Sequence, residues 1–288
     1  MSAIAVAQLD NPAPIVGDDA LLAANLAALR LTQPTIADWL ETAGDAGWFR
    51  THGLDGCLTA ARKTDAGIEW LDRTPIPVTR ARATLRGVAA GDRNYALATP
   101  GSGAEIDLLL SRFAAHQALF VIADDPSRLR AVLSLRDHAI DIRRSRLLFV
   151  QAPRIQDELL SMLRTHEGLL VPAALLATPP TDADWTGRVT SALQHVAAQI
   201  SAERATAANA LRISPSAPAR TTRVAVLALQ PDSIDHALAL RLTEELSHAG
   251  IAATLAALDG PLHAHSLVHE RAIAAFAPTI ALAINHPP

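Results

Sequence analysis

The sequence predicts an α/β protein made of two Rossmann-like parallel-sheet modules behind an N-terminal helical segment. Three observations carry this. From about residue 94, short apolar runs alternate with amphipathic stretches of ten or so residues, which is the signature of βαβ units. A Pro/Ser stretch, Ser214-Pro215-Ser216-Ala217-Pro218-Ala219, interrupts that alternation, and a second series then begins. Upstream, residues 18–73 carry helical periodicity instead.

In chain order, Leu21, Leu22, Asn25, Leu26 and Leu29 share one helix face, which ends at Pro34. Thr35 caps a second helix with Ile36, Trp39 and Leu40. Thr74-Pro75-Ile76-Pro77 marks a boundary. Tyr95–Thr99 reads as a buried strand, Gly101-Ser102-Gly103 as its turn, and Ile106, Leu109, Leu110 and Phe113 as the next helix. Ala118–Ala123 and Arg146–Val150 read as further strands, and Gly168–Val171 as a fourth. Pro126 opens the helix carrying Leu129, Val132, Leu133 and Leu135. Residues 182–211 form a long helix. The second series has strands at 223–229, 251–255 and 279–284, with helices at 234–249, stopped by Gly250, and at 266–276. The expected domains are 1–74, 75–212 and 221–288. The chain stops just after a strand, so it is expected to be a portion of a longer protein.

Composition excludes several classes. Net charge is −4, basic residues form no block and aromatic residues are 3%, so no nucleic-acid footprint is expected. The single cysteine, Cys57, excludes an internal disulfide and a multi-cysteine zinc site; it reads as a buried small hydrophobe in a helical context. The single lysine, Lys63, has no glycines before it, which excludes a Walker-type phosphate loop. No run is long enough to span a membrane and no signal peptide is legible, so the expected compartment is the cytoplasm.

Three constellations could carry chemistry. Pro100-Gly101-Ser102-Gly103 follows a strand and opens a helix, and Asp124 ends the next strand 21 positions after Gly103. That spacing suits a cofactor with a ribose diol, such as S-adenosylmethionine or a dinucleotide, with Gly101, Ser102, Gly103 and Asp124 as contacts. The motif is incomplete: Ile106 stands at the third glycine position. The alternative is that the glycines make only a tight turn and Asp125 caps the helix opened by Pro126. The second is His263-Ala264-His265 followed by His269-Glu270. His265 and His269 have chelating spacing, but no carboxylate completes a hydrolase set, and solvated histidines fit better; no metal is expected. The third is the loops after the second-module strands: Gln230, Asp259-Gly260 and Asn285-His286. Ligands of open α/β sheets bind there, and His286 has the chemistry of a base.

The stretches Tyr95–Ile106 and Ala118–Arg130 resemble the Rossmann-like domain that precedes the catalytic part of CgeB-like (spore-maturation-type) and motility-associated-factor bacterial glycosyltransferases. Asn25–Leu29 with Pro34 looks like their helical lead-in. Arg223–Leu227 through Leu246–Ile251 is similar to the start of a GT-B domain. Phe276-Ala277-Pro278-Thr279 is similar to that fold's strand entry, with Thr279 where aspartate is usual. The resemblance implies sugar transfer from a nucleotide sugar to an acceptor, with the acceptor-side domain present and the donor domain absent. It implies substrate binding by Gln230, Asp259 and Asn285 and catalysis by His286; it assigns no cofactor. The alternatives are an S-adenosylmethionine-dependent methyltransferase and a non-catalytic binding module.

Overall fold

The structure, a computed structural model, describes residues 12–15, 19–44, 46–88, 93–114, 117–166, 169–178, 183–210, 222–228, 234–257 and 267–284. The chain divides into two compact units: Met1–Ile155 with Pro172–Ala192, and Gln156–Val171 with Leu193–Pro288. Among the described residues no helix is long and apolar enough to cross a membrane.

The first unit opens with the two expected helices, Ala20–Thr32 (α1) and Pro34–Thr42 (α2). Pro34 stands at the start of α2, where its missing N–H costs nothing. The helical reading of residues 49–70 is overturned. They form an antiparallel three-stranded sheet of Phe49–His52 (β1), Leu58–Thr64 (β2) and Gly67–Trp70 (β3). Turn chemistry decides the matter. Gly56 (φ +74°) and Gly67 (φ +114°) take backbone conformations that helix interiors exclude, and Thr51 and Thr59 prefer strands. Cys57 accordingly lies half-buried in the turn before β2, its amide donating to Asp55 Oδ1 at 3.2 Å.

After Pro77–Thr84 (α3) comes a four-stranded parallel sheet in the order β6-β5-β4-β7. Its strands are Tyr95–Ala98 (β4), Leu119–Ala123 (β5), Leu147–Gln151 (β6) and Ala174–Ala177 (β7). The connecting helices are Ala104–Leu110 (α4), Pro126–Leu135 (α5) and Ala139–Arg143 (α6). Every residue of β4 and β5 is buried, as parallel strands covered on both faces require. The fourth strand lies later than the apolar run at 168–171 suggested. Pro172 removes a donor directly after that run, and pairing starts beyond it, with Ala174 opposite Tyr95.

Two buried amides tie α1 and α2 to this sheet. Asn25 donates to Leu133 O (2.8 Å) and Arg136 O (2.7 Å) and accepts from the His138 amide (2.8 Å), so it satisfies the frayed end of α5. Gln33 donates to Phe149 O (2.8 Å) and accepts from Phe149 N (3.0 Å) on β6.

The helix Ile155–Thr165 (α7) begins at the division between the units, and the long helix Ala183–Ala210 (α8) starts in the first unit and ends in the second. The rest of the second unit is a three-stranded parallel sheet, ordered β10-β8-β9: Arg223–Ala228 (β8), Ala252–Ala257 (β9) and Ile280–Ala283 (β10). Its helices are Ile234–His248 (α9) and Leu267–Phe276 (α10). Gly250 (φ +77°) ends α9 as expected, with the Ile251 amide closing back on Leu246 O at 2.9 Å. Thr279 makes a backbone clasp: its hydroxyl accepts from Arg223 N (2.9 Å) and donates to Arg223 O (3.1 Å), fixing where β10 joins β8. Charge pairs join the helices of this unit: Glu203 takes both Arg164 and Arg271, and Arg204 grips Glu270.

Candidate functional site

In the first unit the connections run β4, β5, β6, then return to the far side of β4 for β7. The strand order therefore reverses between β4 and β7, and ligands of open α/β sheets bind at the carboxyl ends of such a pair. Ala98 ends β4 there, and Thr99-Pro100-Gly101-Ser102-Gly103 follows. In the second unit the corresponding reversal lies between β8 and β10, whose carboxyl ends are paired, with Ala283 opposite Leu227. Gln230 follows β8, Asn285 and His286 follow β10, and Asp259 follows β9. All four lie outside the described residues.

The first crevice is occupied by the chain itself. Thr178, just beyond β7, donates to Thr99 O at 2.6 Å, and the Trp185 indole N–H donates to Thr99 Oγ1 at 2.9 Å. These bonds hold Thr99 at φ +58°, a left-handed conformation that costs a β-branched residue about 1–3 kcal/mol. Beyond Gly101 stands the carboxylate of Asp72, brought in by the turn after β3. A Cβ at Gly101 would collide with Asp72 Oδ1 and lie 2.7 Å from Glu105 Oε1. Glycine at 101 thus permits a close approach, as the motif suggested, but the approaching group is an internal acid. Gly103 (φ +82°) has a different reason: a Cβ there would press on Val132 Cγ1 of α5 at 3.0 Å.

Asp72, Ser102 and Glu105 are all fully buried, and no oxygen of either carboxyl group, nor the Ser102 hydroxyl, completes a hydrogen bond of normal geometry. Burial pushes the Asp72 carboxyl up; the charges of Arg80 and Arg128 and the polar groups of Ser102 oppose it. Burial, and then the charge of Asp72, push Glu105 up to about 8. At neutral pH Glu105 is therefore protonated, out of reach of solvent. Around it, Arg80 donates to Asp72 O, Arg128 donates to Leu71 O, and Arg136 pairs with Asp107 at 2.6 Å. His138, held neutral by burial, lies 3.7 Å from Asp107.

Asp124, the proposed diol ligand, is exposed at the end of β5 and makes no hydrogen bond or ion pair with another described residue. Its neighbour Asp125 caps α5, accepting from Ser127 N (2.9 Å), Ser127 Oγ (2.7 Å) and Arg128 N (3.2 Å), as the alternative reading held. Gly101 and Ser102 thus lie against the buried acids, Gly103 packs on Val132 of α5, and Asp124 stands apart in solvent.

Sequence reasoning missed Asp72, Glu105, Thr178 and Trp185. One signal was present: Glu105 shares a helix face with Leu109, so an acid stood on the face predicted to be buried. Asp72 gave none, because its partner loop is reached only through the antiparallel sheet.

No family model matches the chain, and no curated protein matches it in sequence. Among solved structures, the MAf glycosyltransferase from Magnetospirillum magneticum AMB-1 is similar, with a TM-score of 0.48 and 12% identity over 93% of this chain. This chain spans 57% of the length of that protein.

Proposed function

We propose that this chain is a portion of a glycosyltransferase-like protein of the CgeB-like or motility-associated-factor type. In this reading the first unit is an accessory module without a small-molecule ligand in its sheet crevice. The second is the acceptor side of a GT-B enzyme whose nucleotide-sugar domain lies elsewhere. The observation that carries the reading is the Asp72 carboxylate against Gly101, which takes the space a cofactor phosphate or carboxylate would use. Binding then falls to the second crevice, beyond β8 and β10, where Gln230 and Asn285-His286 follow adjacent strands. There His286 would deprotonate an acceptor hydroxyl while Gln230, Asn285 and Asp259 orient it. The cytoplasm is the compartment in which a nucleotide-sugar donor would be met.

The methyltransferase reading fares worse, because its two requirements are separated: the glycine loop is filled and Asp124 points to water. Calorimetric titration tests the choice. S-adenosylmethionine is expected to give no saturable heat, and low-micromolar binding abolished by Asp124→Ala would overturn the assignment. Saturation-transfer NMR with monosaccharide acceptors is expected to show contacts that His286→Ala removes without altering the circular dichroism spectrum.

A further inference from the structure

The turn that closes the first crevice has little stability of its own. Thr99 sits in the left-handed region at φ +58° and depends on Thr178 and Trp185 to stay there. The helix it leads into, α4, spans seven residues, and its N-cap, Gly103, supplies no side-chain cap. The strands behind it, β4 and β5, are wholly buried. A segment so built opens before the sheet does.

Two packed acids stand where this turn must close. A Cβ on Gly101 would collide with Asp72 Oδ1 and lie 2.7 Å from Glu105 Oε1, so both carboxyl groups converge on one spot. The charged groups that face them come from each neighbouring element: Arg80 of α3, Arg128 of α5, and Arg136 just beyond α5, with Asp107 of α4 and His138 behind Arg136. None of these guanidinium groups closes an ion pair with either acid. Arg80 and Arg128 donate to the main-chain oxygens of Asp72 and Leu71, and Arg136 is engaged by Asp107. Adjacent buried carboxyl groups without a bound cation or solvent cannot both be charged. A proton is thus a condition of closure, and Glu105, pushed up to about 8, carries it at neutral pH.

We propose that Glu105 is the catch of a proton-operated closure: with its proton on, the Thr99–Gly103 turn lies shut against Asp72, and with its proton lost, the turn and α4 detach and the crevice at the strand reversal opens to water. In the open state Glu105 has its ordinary 4.5, so opening grows by up to about tenfold per pH unit and levels off above 8. His138, kept neutral by burial, does not contribute in this range. The inference rests on the closed crevice and not on the sugar-transfer reading, since no residue of the second unit takes part.

Hydrogen exchange of the whole chain at pH 6, 7 and 8, read by mass spectrometry as protection factors, tests it. The segment Thr99–Leu110 is expected to be at least about tenfold less protected than Leu119–Ala123 at each pH, and to lose about thirtyfold in protection between pH 6 and 8. Glu105→Gln has no proton to release and is expected to lose less than about threefold over the same range. Should that variant fail to fold, Asp72→Asn, which removes the neighbouring charge, is expected to shrink the parent's loss by at least about threefold. Equal protection of the two segments at every pH overturns the proposal, as does protection of Thr99–Leu110 that does not change with pH, or a loss in the folded variants as large as in the parent chain.

Discussion

The two parallel sheets follow the same βα grammar and end differently. In the first, every residue of β4 and β5 is buried and the crevice at the strand reversal is closed by Asp72, Glu105, Thr178 and Trp185. In the second, Val224 and Val226 of β8 are buried under α9, but Ile280 and Leu282 of β10, on the same face, are 44% and 39% exposed. A glycine turn at a strand end therefore does not by itself imply a ligand. What matters is whether the rest of the chain has already supplied one.

The sharpest way to break this contrast is a matched pair of truncations. Leu97→Ala in the first sheet is expected to cost about 3 kcal/mol, because Leu97 is fully buried and leaves a cavity. Leu282→Ala in the second should cost about 1 kcal/mol or less. All four tryptophans lie in the first unit, so urea unfolding followed by fluorescence reports that unit, and far-UV circular dichroism reports both. Equal costs would dissolve the distinction between the sheets.

Gly101→Ala comes next. It forces a methyl group onto the Asp72 carboxylate and is expected to destabilise the first unit by about 2–3 kcal/mol, as overpacking does. Asp72→Gly should recover a measurable part in the double variant, since the two sites are in contact.

The acid pair gives a smaller, pH-dependent signal with a definite sign. Glu105 titrates near 8 in the folded chain, above its ordinary 4.5. Between these pH values the unfolded state loses the proton while the folded state keeps it. Stability therefore falls as pH rises, by at most about 1.4 kcal/mol per pH unit, and levels off above 8. His138 acts in the opposite direction, because its folded pKa is depressed: stability falls on acidification below its ordinary 6.5. Glu105→Gln is expected to flatten the alkaline slope in urea midpoints measured at pH 6, 7 and 8; an unchanged slope would mean that Glu105 is not the group that holds the proton. The least effect belongs to Asp124→Asn, which should stay within about 0.5 kcal/mol, as a solvated side chain does.

Much of this architecture was legible in the sequence. The parallel strands announced themselves as continuous apolar runs, Leu119–Ala123 and Leu147–Gln151 above all, because burial on both faces leaves no room for alternation. Asp125 and Gly250 marked their helix ends through local chemistry alone. The antiparallel sheet at 49–70 was hidden because Ala60, Ala61 and Leu58 fit a helix face as readily as a strand, and only the glycine turns argue otherwise. The crevice contents were hidden for a deeper reason. Asp72 reaches Gly101 across 29 positions of chain, and Trp185 reaches Thr99 across 86. Such pairings are products of topology, which spacing does not encode.

Gln33 has one more consequence. β6 is an outer strand of its sheet, and the carboxamide of Gln33 engages both main-chain groups of Phe149, much as a neighbouring strand would. It acts as a one-residue terminator that sets the sheet's width at four and denies an incoming peptide its central docking position. Replacing it with leucine would leave those groups vacant, and the first sign of the change should be self-association through that border.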